Sequence, residues 1–187
     1  MNKDVKILAL VGMSGSGNSV AVDYLTGKGY PKVYFGGMIL KEMERRGIPD
    51  TPENEKKFRE EIREKEGKDW VVKQVVEEVR RLVEAGQKRI VLDGLYSWTE
   101  YKILKSEFRG EMTVMAIVVP KRLRYKRVSE RTDRPFNRPE IIERDRTEIE
   151  NLEKGGPIAA ADFYVMNDRG TAEMYEQIDG ILSEIEF

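Results

Sequence analysis

Five short apolar runs are separated along the chain by longer amphipathic or charged stretches. The runs cover residues 5–11, 32–35, 89–93, 112–119 and 163–166. Short runs with β-branched side chains and little polar alternation are typical of strands buried on both faces of a parallel sheet. The pattern therefore predicts five parallel strands.

The stretches between the runs carry helix signals. Thr51 and Pro52 place a capping hydroxyl and a proline at a helix start, and Asp69 can cap the next helix. Residues 155–157, Gly-Gly-Pro, are expected to end a long charged helix. The predicted helices span about residues 18–26, 38–46, 51–66, 70–85, 97–108, 121–131, 140–154 and 171–185.

The alternation of strands and helices predicts an α/β fold of three layers, a parallel sheet with helices on both faces. Right-handed crossovers in such a fold place a ligand at the carboxyl ends of the strands. The length of 187 residues suits one domain with a substantial core.

The composition excludes several kinds of chemistry. The chain has no cysteine and no histidine, which excludes disulfides, thiolate nucleophiles, Ser-His-Asp triads and metal sites built on either residue. Its 33 basic and 34 acidic side chains leave a formal net charge of −1, so the global charge favours neither nucleic acid nor an anionic membrane. The first apolar run is too short to span a membrane. We therefore expect a cytoplasmic protein with no membrane or nucleic-acid partner.

A glycine-rich loop lies between the first strand and the first helix. Residues 12–19 read Gly-Met-Ser-Gly-Ser-Gly-Asn-Ser and match the P-loop pattern G-x-x-x-x-G-K-[ST] at every fixed position except the lysine. Such glycines turn backbone amides toward a polyphosphate, and the serine that follows can coordinate Mg²⁺. The alternative is a plain glycine turn. The candidate nucleotide-binding residues are Gly12, Ser14, Gly15, Ser16, Gly17, Asn18 and Ser19.

Asn18 replaces the lysine that normally gives a full positive charge to the β- and γ-phosphates. Its amide can donate hydrogen bonds but carries no charge, so we expect phosphate to bind through the backbone while transfer is slowed. The loss of one strong charge contact in such a site is worth on the order of 3 kcal/mol. Alternatively, the chain has kept nucleotide binding and lost turnover, or the substitution was introduced into an active kinase.

Asp93 ends the third predicted strand, at the sheet edge where the glycine-rich loop begins. A carboxylate there can hold Mg²⁺ through water or accept a proton from an attacking hydroxyl. We therefore expect Asp93 and Ser19 to serve a metal ion, and Asp93 to act in catalysis. The alternative is an aspartate that opens a turn before glycine.

Arginines cluster around a predicted proline-containing loop. They are Arg124, Arg127, Arg131 and Arg134, and Arg144 follows in the next helix. Arg127 and Arg131 are four residues apart, which predicts one helical face, and guanidinium groups suit the clamping of phosphoryl oxygens by a mobile lid. We expect Arg127 and Arg131, and with less support Arg144, to act in catalysis. The alternative is a solvated basic face.

Gly36 and Gly37 follow the second predicted strand. They either let a second substrate approach the backbone closely or form the turn that starts a helix, and the sequence leaves both open. Tyr96 lies three residues after Asp93. With the two glycines it completes the candidate substrate-binding residues.

Together these motifs resemble the dephospho-CoA-kinase-like, adenylate-kinase-related P-loop nucleotide kinases. The resemblance implies a P-loop NTPase fold with a five-stranded parallel sheet and a small helical lid, an ATP donor, Mg²⁺ and a nucleotide-like acceptor. Gly37 and Leu40 stand where adenylate kinases carry an Asp and an Arg, which argues against adenylate kinase itself. The resemblance rests on residues 12–19, 36–40, 93–97, 124–127, 148–151, 155–159 and 161–163.

The family organisation implies one kinase-like domain, a monomer or a homodimer. Its core would comprise about residues 1–35, 87–125 and 155–187, its acceptor region residues 36–86 and its lid residues 126–154. An ATP-dependent nucleotide or small-molecule kinase is the leading hypothesis, and a catalytically inactive nucleotide sensor is the second. A nucleic-acid-binding role for the basic residues 121–138 has less support, because Glu-rich segments surround them.

Overall fold

A parallel sheet forms the centre of the computed structural model, which describes residues 4–132 and 135–187. The strands lie in the order β2-β3-β1-β4-β5, and every neighbouring pair is parallel. Helices cover both faces, so the predicted three-layer α/β fold is confirmed. The strands are β1 Lys6–Val11, β2 Lys32–Tyr34, β3 Arg89–Asp93, β4 Met112–Val118 and β5 Phe163–Met166.

The helices follow the predicted order, with differences at their ends. Their bounds are α1 Asn18–Gly27, α2 Phe35–Arg45, α3 Pro52–Glu66, α4 Trp70–Glu84, α5 Trp98–Glu107, α6 Lys121–Ser129, α7 Arg138–Arg146, α8 Gly155–Ala159 and α9 Thr171–Glu184, with a π-helical segment at Thr147–Asn151 between α7 and α8. None of the described helices is long and apolar enough to span a membrane.

Strand β1 occupies the middle of the sheet because its side chains are apolar toward both faces. Ile7 and Ala9 pack into one hydrophobic core with α4 and α5, whereas Leu8 and Leu10 pack into the other with α1 and α9. All four are fully buried. The carboxyl end of β1 is thereby fixed, and with it the start of the glycine-rich loop.

Two predicted helix boundaries are wrong for identifiable reasons. Helix α2 begins at Phe35, three residues earlier than predicted, and the Phe35 side chain is buried in the core that α4 and α5 also line. Residues 155–157 do not break a helix but begin the short helix α8, since the π-helical segment has already ended the preceding one. Asp69 does precede α4, but its side chain makes no capping hydrogen bond and pairs with Lys73 at 2.8 Å.

We expect Leu92→Ala to lower the free energy of unfolding by about 2–5 kcal/mol, because it leaves a cavity in the centre of β3. Leu92 is fully buried in the core shared with α4 and α5. Urea denaturation measures the change. Ile142→Ala is the control, since the Ile142 side chain is exposed and its removal should change stability by about 0.5 kcal/mol or less. Equal effects of the two substitutions would contradict the assigned core.

Candidate functional site

The glycine-rich loop leaves β1 and enters α1 through two left-handed glycines. Gly15 has φ +83° and Gly17 has φ +100°, a region that side chains with a Cβ rarely adopt. Gly17 is the N-cap of α1, so the loop ends at the amide-rich start of a helix. This is the backbone geometry that the P-loop pattern predicts for an anion site.

The same glycines let the loop pack closely against other elements. A Cβ at Gly15 would lie 2.7 Å from the Val128 side chain on α6, and a Cβ at Gly17 would overlap the side-chain nitrogen of Asn167. Asn167 also donates to the carbonyl of Ser16 at 2.8 Å. The loop is therefore held in place by α6 and by the residue that follows β5.

Asn18 folds back onto the start of the loop. In the amide orientation that satisfies both of its polar groups, its nitrogen donates to the Val11 carbonyl at 3.1 Å and its oxygen accepts from the Gly12 amide at 3.3 Å. The side chain thus links the end of the loop to its beginning by hydrogen bonds and adds no charge to it. Ser19, the next residue, lies exposed in the first turn of α1.

Asp93 lies at the sheet edge where the loop begins, as predicted. It is in register with Leu10 on β1 and with Tyr34 on β2. Burial raises the pKa of the Asp93 carboxyl, the nearby carboxylate of Asp23 raises it further, and the ammonium of Lys32 opposes the shift. A half-buried carboxylate with a raised pKa binds a proton more readily than an exposed one.

Two tyrosines flank Asp93. Tyr34 and Tyr96 both keep part of their rings exposed. Burial raises the pKa of the Tyr96 hydroxyl above its usual value, with further contributions from Tyr34 and Asp93. A Cβ at Gly94 would lie 3.0 Å from the Tyr96 ring, so this ring packs directly over the backbone after β3.

Gly36 and Gly37 lie in the first turn of α2. A Cβ at Gly36 would lie 2.5 Å from the Tyr34 ring, and one at Gly37 would lie 3.3 Å from it. The space above these glycines is thus filled by a tyrosine of the same chain. The structure agrees with the helix-start interpretation, and their role in substrate binding stays a prediction.

The arginines of the predicted lid differ in position. Arg127 is half-buried on α6 and its guanidinium lies 3.4 Å from the Asn167 side-chain oxygen, close to the loop. Arg131 is exposed and lies beyond the end of α6 at Ser129, so the prediction that it shares a helical face with Arg127 is wrong. Arg134 lies outside the described residues.

Arg124 contacts the loop directly; the sequence placed it in the arginine cluster but not among the candidate catalytic residues. It is 7% exposed. Its guanidinium donates to the Ser14 carbonyl at 2.8 Å and forms a bidentate pair with Asp145 at 2.9 and 2.7 Å. Burial alone would raise the pKa of Asp145, but Arg124 and the Tyr125 hydroxyl together hold it below its usual value.

The backbone amide of Ser14 donates a hydrogen bond to a buried carboxylate. Glu148, on the π-helical segment, is 2% exposed, and its Oε2 accepts from the Ser14 amide at 2.9 Å. Its Oε1 lies 3.2 Å from the ammonium of Lys154 and 3.4 Å from Nε of Arg144. The predicted residue Arg144 therefore reaches the loop through Glu148, whereas Glu148 and Lys154 were missed as site residues.

The described residues contain no group of three or more acidic side chains that could hold a metal ion. Binding of a metal by the Ser19 hydroxyl and Asp93 stays a prediction; hydroxyl and carboxylate oxygens are ligands that Mg²⁺ prefers. Ser16 supports the fit to an anion, because its hydroxyl oxygen is buried and has no hydrogen-bond partner among the described residues.

Comparison with models of known protein families finds no match. Comparison with individual proteins finds relatives that are 33% identical over almost the whole chain. A UPF0200 protein of Thermococcus kodakarensis is 33% identical over 187 residues, covering 96% of this chain and 100% of the relative. A UPF0200/UPF0201 protein of Archaeoglobus fulgidus is also 33% identical, over 184 residues. That match covers 97% of this chain, which spans only 56% of the Archaeoglobus relative.

Solved structures with a similar fold include kinases. A gluconokinase from Sinorhizobium meliloti has a TM-score of 0.60 at 17% identity, covering 99% of this chain and 95% of that one. A shikimate kinase from Bacteroides thetaiotaomicron has a TM-score of 0.59 at 10% identity, covering 97% and 99%. These likenesses confirm a P-loop kinase-like fold. The narrower resemblance to dephospho-CoA kinases stays a prediction.

We expect Arg124→Met to lower the free energy of unfolding by about 3–5 kcal/mol, because it leaves the Asp145 carboxylate buried without its partner. The double variant Arg124→Met/Asp145→Leu should recover most of this loss, since no buried charge remains unpaired. Urea denaturation of both single variants, the double variant and the parent chain gives the coupling energy. Additive losses would contradict a buried, coupled pair.

The same pair predicts how stability depends on pH. The pKa of Asp145 is lowered in the folded chain from its ordinary 3.8, so its stabilising contribution is complete above that value and is lost as the pH falls through the lowered pKa. We expect the parent chain to lose more stability between pH 5 and pH 2 than the double variant. Denaturation curves across that range measure the difference, and equal losses would contradict the shift.

Proposed function

Because the chain belongs to the UPF0200 family and has a P-loop kinase-like fold, we propose that it is an ATP-dependent kinase. It binds ATP with Mg²⁺ and transfers the γ-phosphoryl group to a nucleotide or a related small molecule. The observation that carries this proposal is the Ser14 amide, which accommodates a buried carboxylate oxygen 2.9 Å away. An amide that holds a carboxylate in this loop is suited to hold a phosphate oxygen.

The donor site follows from the loop and the helix behind it. The amides of residues 12–19 and the start of α1 provide directed hydrogen-bond donors and a partial positive charge for the phosphates. Mg²⁺, when bound, would neutralise charge on the phosphate oxygens. The Ser19 hydroxyl and Asp93 are the residues that would hold it.

Asp93 also suits proton transfer. Its raised pKa makes the carboxylate a better acceptor for the proton of an acceptor hydroxyl. The hydroxyl oxygen forms a bond to the γ-phosphorus as the bond to the β–γ bridging oxygen breaks, and the proton passes to Asp93. Arg127 and Arg144 approach the loop from the lid side and would stabilise the charge on the transferring group, with Arg131 available from its exposed position.

The acceptor is proposed to lie over the carboxyl ends of β2 and β3. Tyr34 and Tyr96 are 42% and 36% exposed, and both lie close enough to Asp93 for its carboxylate to raise the pKa of their hydroxyls. Exposed aromatic faces beside a catalytic carboxylate suit the stacking of a planar ring, which favours a nucleotide-like acceptor. Gly36 and Gly37 lie below Tyr34 and would shape the same surface.

The second candidate function is a nucleotide sensor without turnover. Asn18 favours it, because the residue satisfies the loop backbone and leaves the loop without its usual lysine. The two functions share the donor site and differ only in phosphoryl transfer. They are therefore separated by the same assay.

We expect MgATP to raise the melting temperature in proportion to the logarithm of its concentration over Kd, and ADP to form when the true acceptor is present. Asp93→Asn should keep the binding of ATP without Mg²⁺ and lower kcat by about 100-fold or more, because it removes the proton acceptor. Thermal shift and coupled ADP detection across nucleotides and CoA precursors measure both effects.

The Asn18→Lys variant is tested beside the parent chain with the same nucleotides and CoA precursors, because it restores the full P-loop pattern. Binding of MgATP without ADP formation by either protein would favour the sensor. Absence of nucleotide binding in both proteins would remove the proposal altogether.

We expect Tyr96→Ala to raise the KM for the acceptor by about 5- to 100-fold, because stacking of a base on an aromatic ring is worth about 1–3 kcal/mol. The KM for ATP should rise by about fivefold or less, through the lost contact between the Tyr96 ring and the Lys154 ammonium beside the loop. Tyr96→Phe keeps the ring and should behave like the parent chain. Steady-state kinetics with each substrate varied in turn measure both constants. A large effect of Tyr96→Phe would show that the hydroxyl rather than the ring acts.

A further inference from the structure

A lysine from elsewhere in the chain lies beside the loop that lacks its own. Lys154 directly precedes α8 and is 4% exposed. Its ammonium lies 3.2 Å from Oε1 of Glu148, and Oε2 of the same carboxylate accepts from the Ser14 amide at 2.9 Å. One carboxylate therefore bridges the Lys154 ammonium and the loop backbone.

The position of Lys154 is fixed by several contacts. Its backbone amide donates to the Glu148 carbonyl at 2.9 Å, so the two residues are joined through backbone and side chains. Its ammonium also lies 4.8 Å from the centre of the Tyr96 ring. Two residues further on, Gly156 packs against the Trp98 ring so closely that a Cβ would lie 2.9 Å from it.

The ion pairs around Lys154 contain more cations than carboxylates. Three cations, Arg124, Arg144 and Lys154, share two carboxylates, Asp145 and Glu148. Burial lowers the pKa of the Lys154 ammonium, the Glu148 carboxylate opposes this, and the two arginines add to it. A buried cation with a single shared carboxylate is poorly compensated. An additional anion at the loop would improve the balance.

We propose that Lys154 supplies to the bound triphosphate the positive charge that Asn18 does not, and that Glu148 holds the place of a phosphate oxygen until the triphosphate binds. The inference rests on the proposed nucleotide site and identifies a further residue of it. When a phosphate oxygen takes the Ser14 amide from Glu148, the Lys154 ammonium is left between the carboxylate and the phosphate. The loop amides still orient the phosphate by hydrogen bonds, and the Lys154 ammonium adds an electrostatic attraction that depends little on orientation.

The alternative is that Lys154 and Glu148 only fasten the lid segment to the loop. In that case removal of the lysine would lower stability without changing the affinity of the folded protein for polyphosphate. A lysine at position 18 would then add a charge that the site otherwise lacks. The two interpretations therefore predict different changes in affinity at both positions.

Isothermal titration calorimetry with inorganic tripolyphosphate and with MgATP tests the proposal without relying on turnover. We expect Lys154→Met to weaken both ligands by about 10- to 100-fold, the usual range for loss of a charged hydrogen bond. Asn18→Lys alone should strengthen binding by about threefold or less. The double variant Asn18→Lys/Lys154→Met should return to about the parent affinity, because one lysine replaces the other.

Lys105→Met is the matched control. Lys105 also forms an ion pair, with Asp162 at 2.8 Å, but has no contact with the loop. Its removal should leave both affinities unchanged. Unchanged binding by Lys154→Met, or a double variant as weak as that single variant, would overturn the proposal.

If Lys154→Met fails to fold, Asn18→Lys decides alone, because it keeps Lys154 in place. A gain of about 100-fold would overturn the proposal. A gain of about threefold or less supports it when urea denaturation shows that the variant keeps the stability of the parent chain, because Asn18 also bonds to the loop backbone. If the protein forms ADP but Lys154→Met does not change its affinity for tripolyphosphate or MgATP, this inference is contradicted and the proposed kinase activity is not. If Lys154→Met weakens tripolyphosphate binding but no ADP forms, the inference is supported and the proposed kinase activity is contradicted. A protein that binds neither ligand would remove both.

Discussion

Both backbone groups of Ser14 are bound by buried, charged side chains, and the rest of the site depends on this double contact. The amide donates to Glu148 and the carbonyl accepts from Arg124. Arg124 lies on α6 and Glu148 on the π-helical segment, so the loop conformation and the packing of these two elements are coupled. Any anion that takes the Ser14 amide must first release Glu148. Binding at the loop therefore acts directly on the segment that carries Glu148.

Charges buried this deeply are stable only as a connected set. Removing one partner leaves another without compensation, which is more costly than the loss of the pair itself. The bidentate pair of Arg124 with Asp145 is complete within the chain, whereas the Lys154 ammonium shares a single carboxylate with Arg144 and the loop. The first pair therefore has the character of structural support. In the second pair the ammonium has less compensation, and this is the observation on which the proposed role of Lys154 in binding an anion rests.

The sequence predicted the elements that follow a regular local pattern. It missed the contacts that depend on the π-helical segment, where the helical pattern is interrupted. The five apolar runs predicted the sheet, and the side chain of Thr51 caps α3 as expected. The run from 140 to 154 predicted one α-helix, in which residues six apart point about 120° from each other. The π-helical segment ends that helix and brings Glu148 and Lys154 together. No periodicity marks this change, so the glycine-rich loop could be found from sequence and the lysine beside it could not.

Asn18 separates the shape of the glycine-rich loop from the charge that such a loop usually carries. Its amide bridges the Val11 carbonyl and the Gly12 amide, so the loop keeps its shape without a lysine. Backbone amides must point at their ligand, and this requirement ties them to the glycines and to the helix start. A positive charge is far less demanding about direction and can come from any element that reaches the site. The segment from Glu148 to Lys154 already brings a buried ammonium next to the Glu148 carboxylate, so the position of the charge is free to differ while the position of the amides is not.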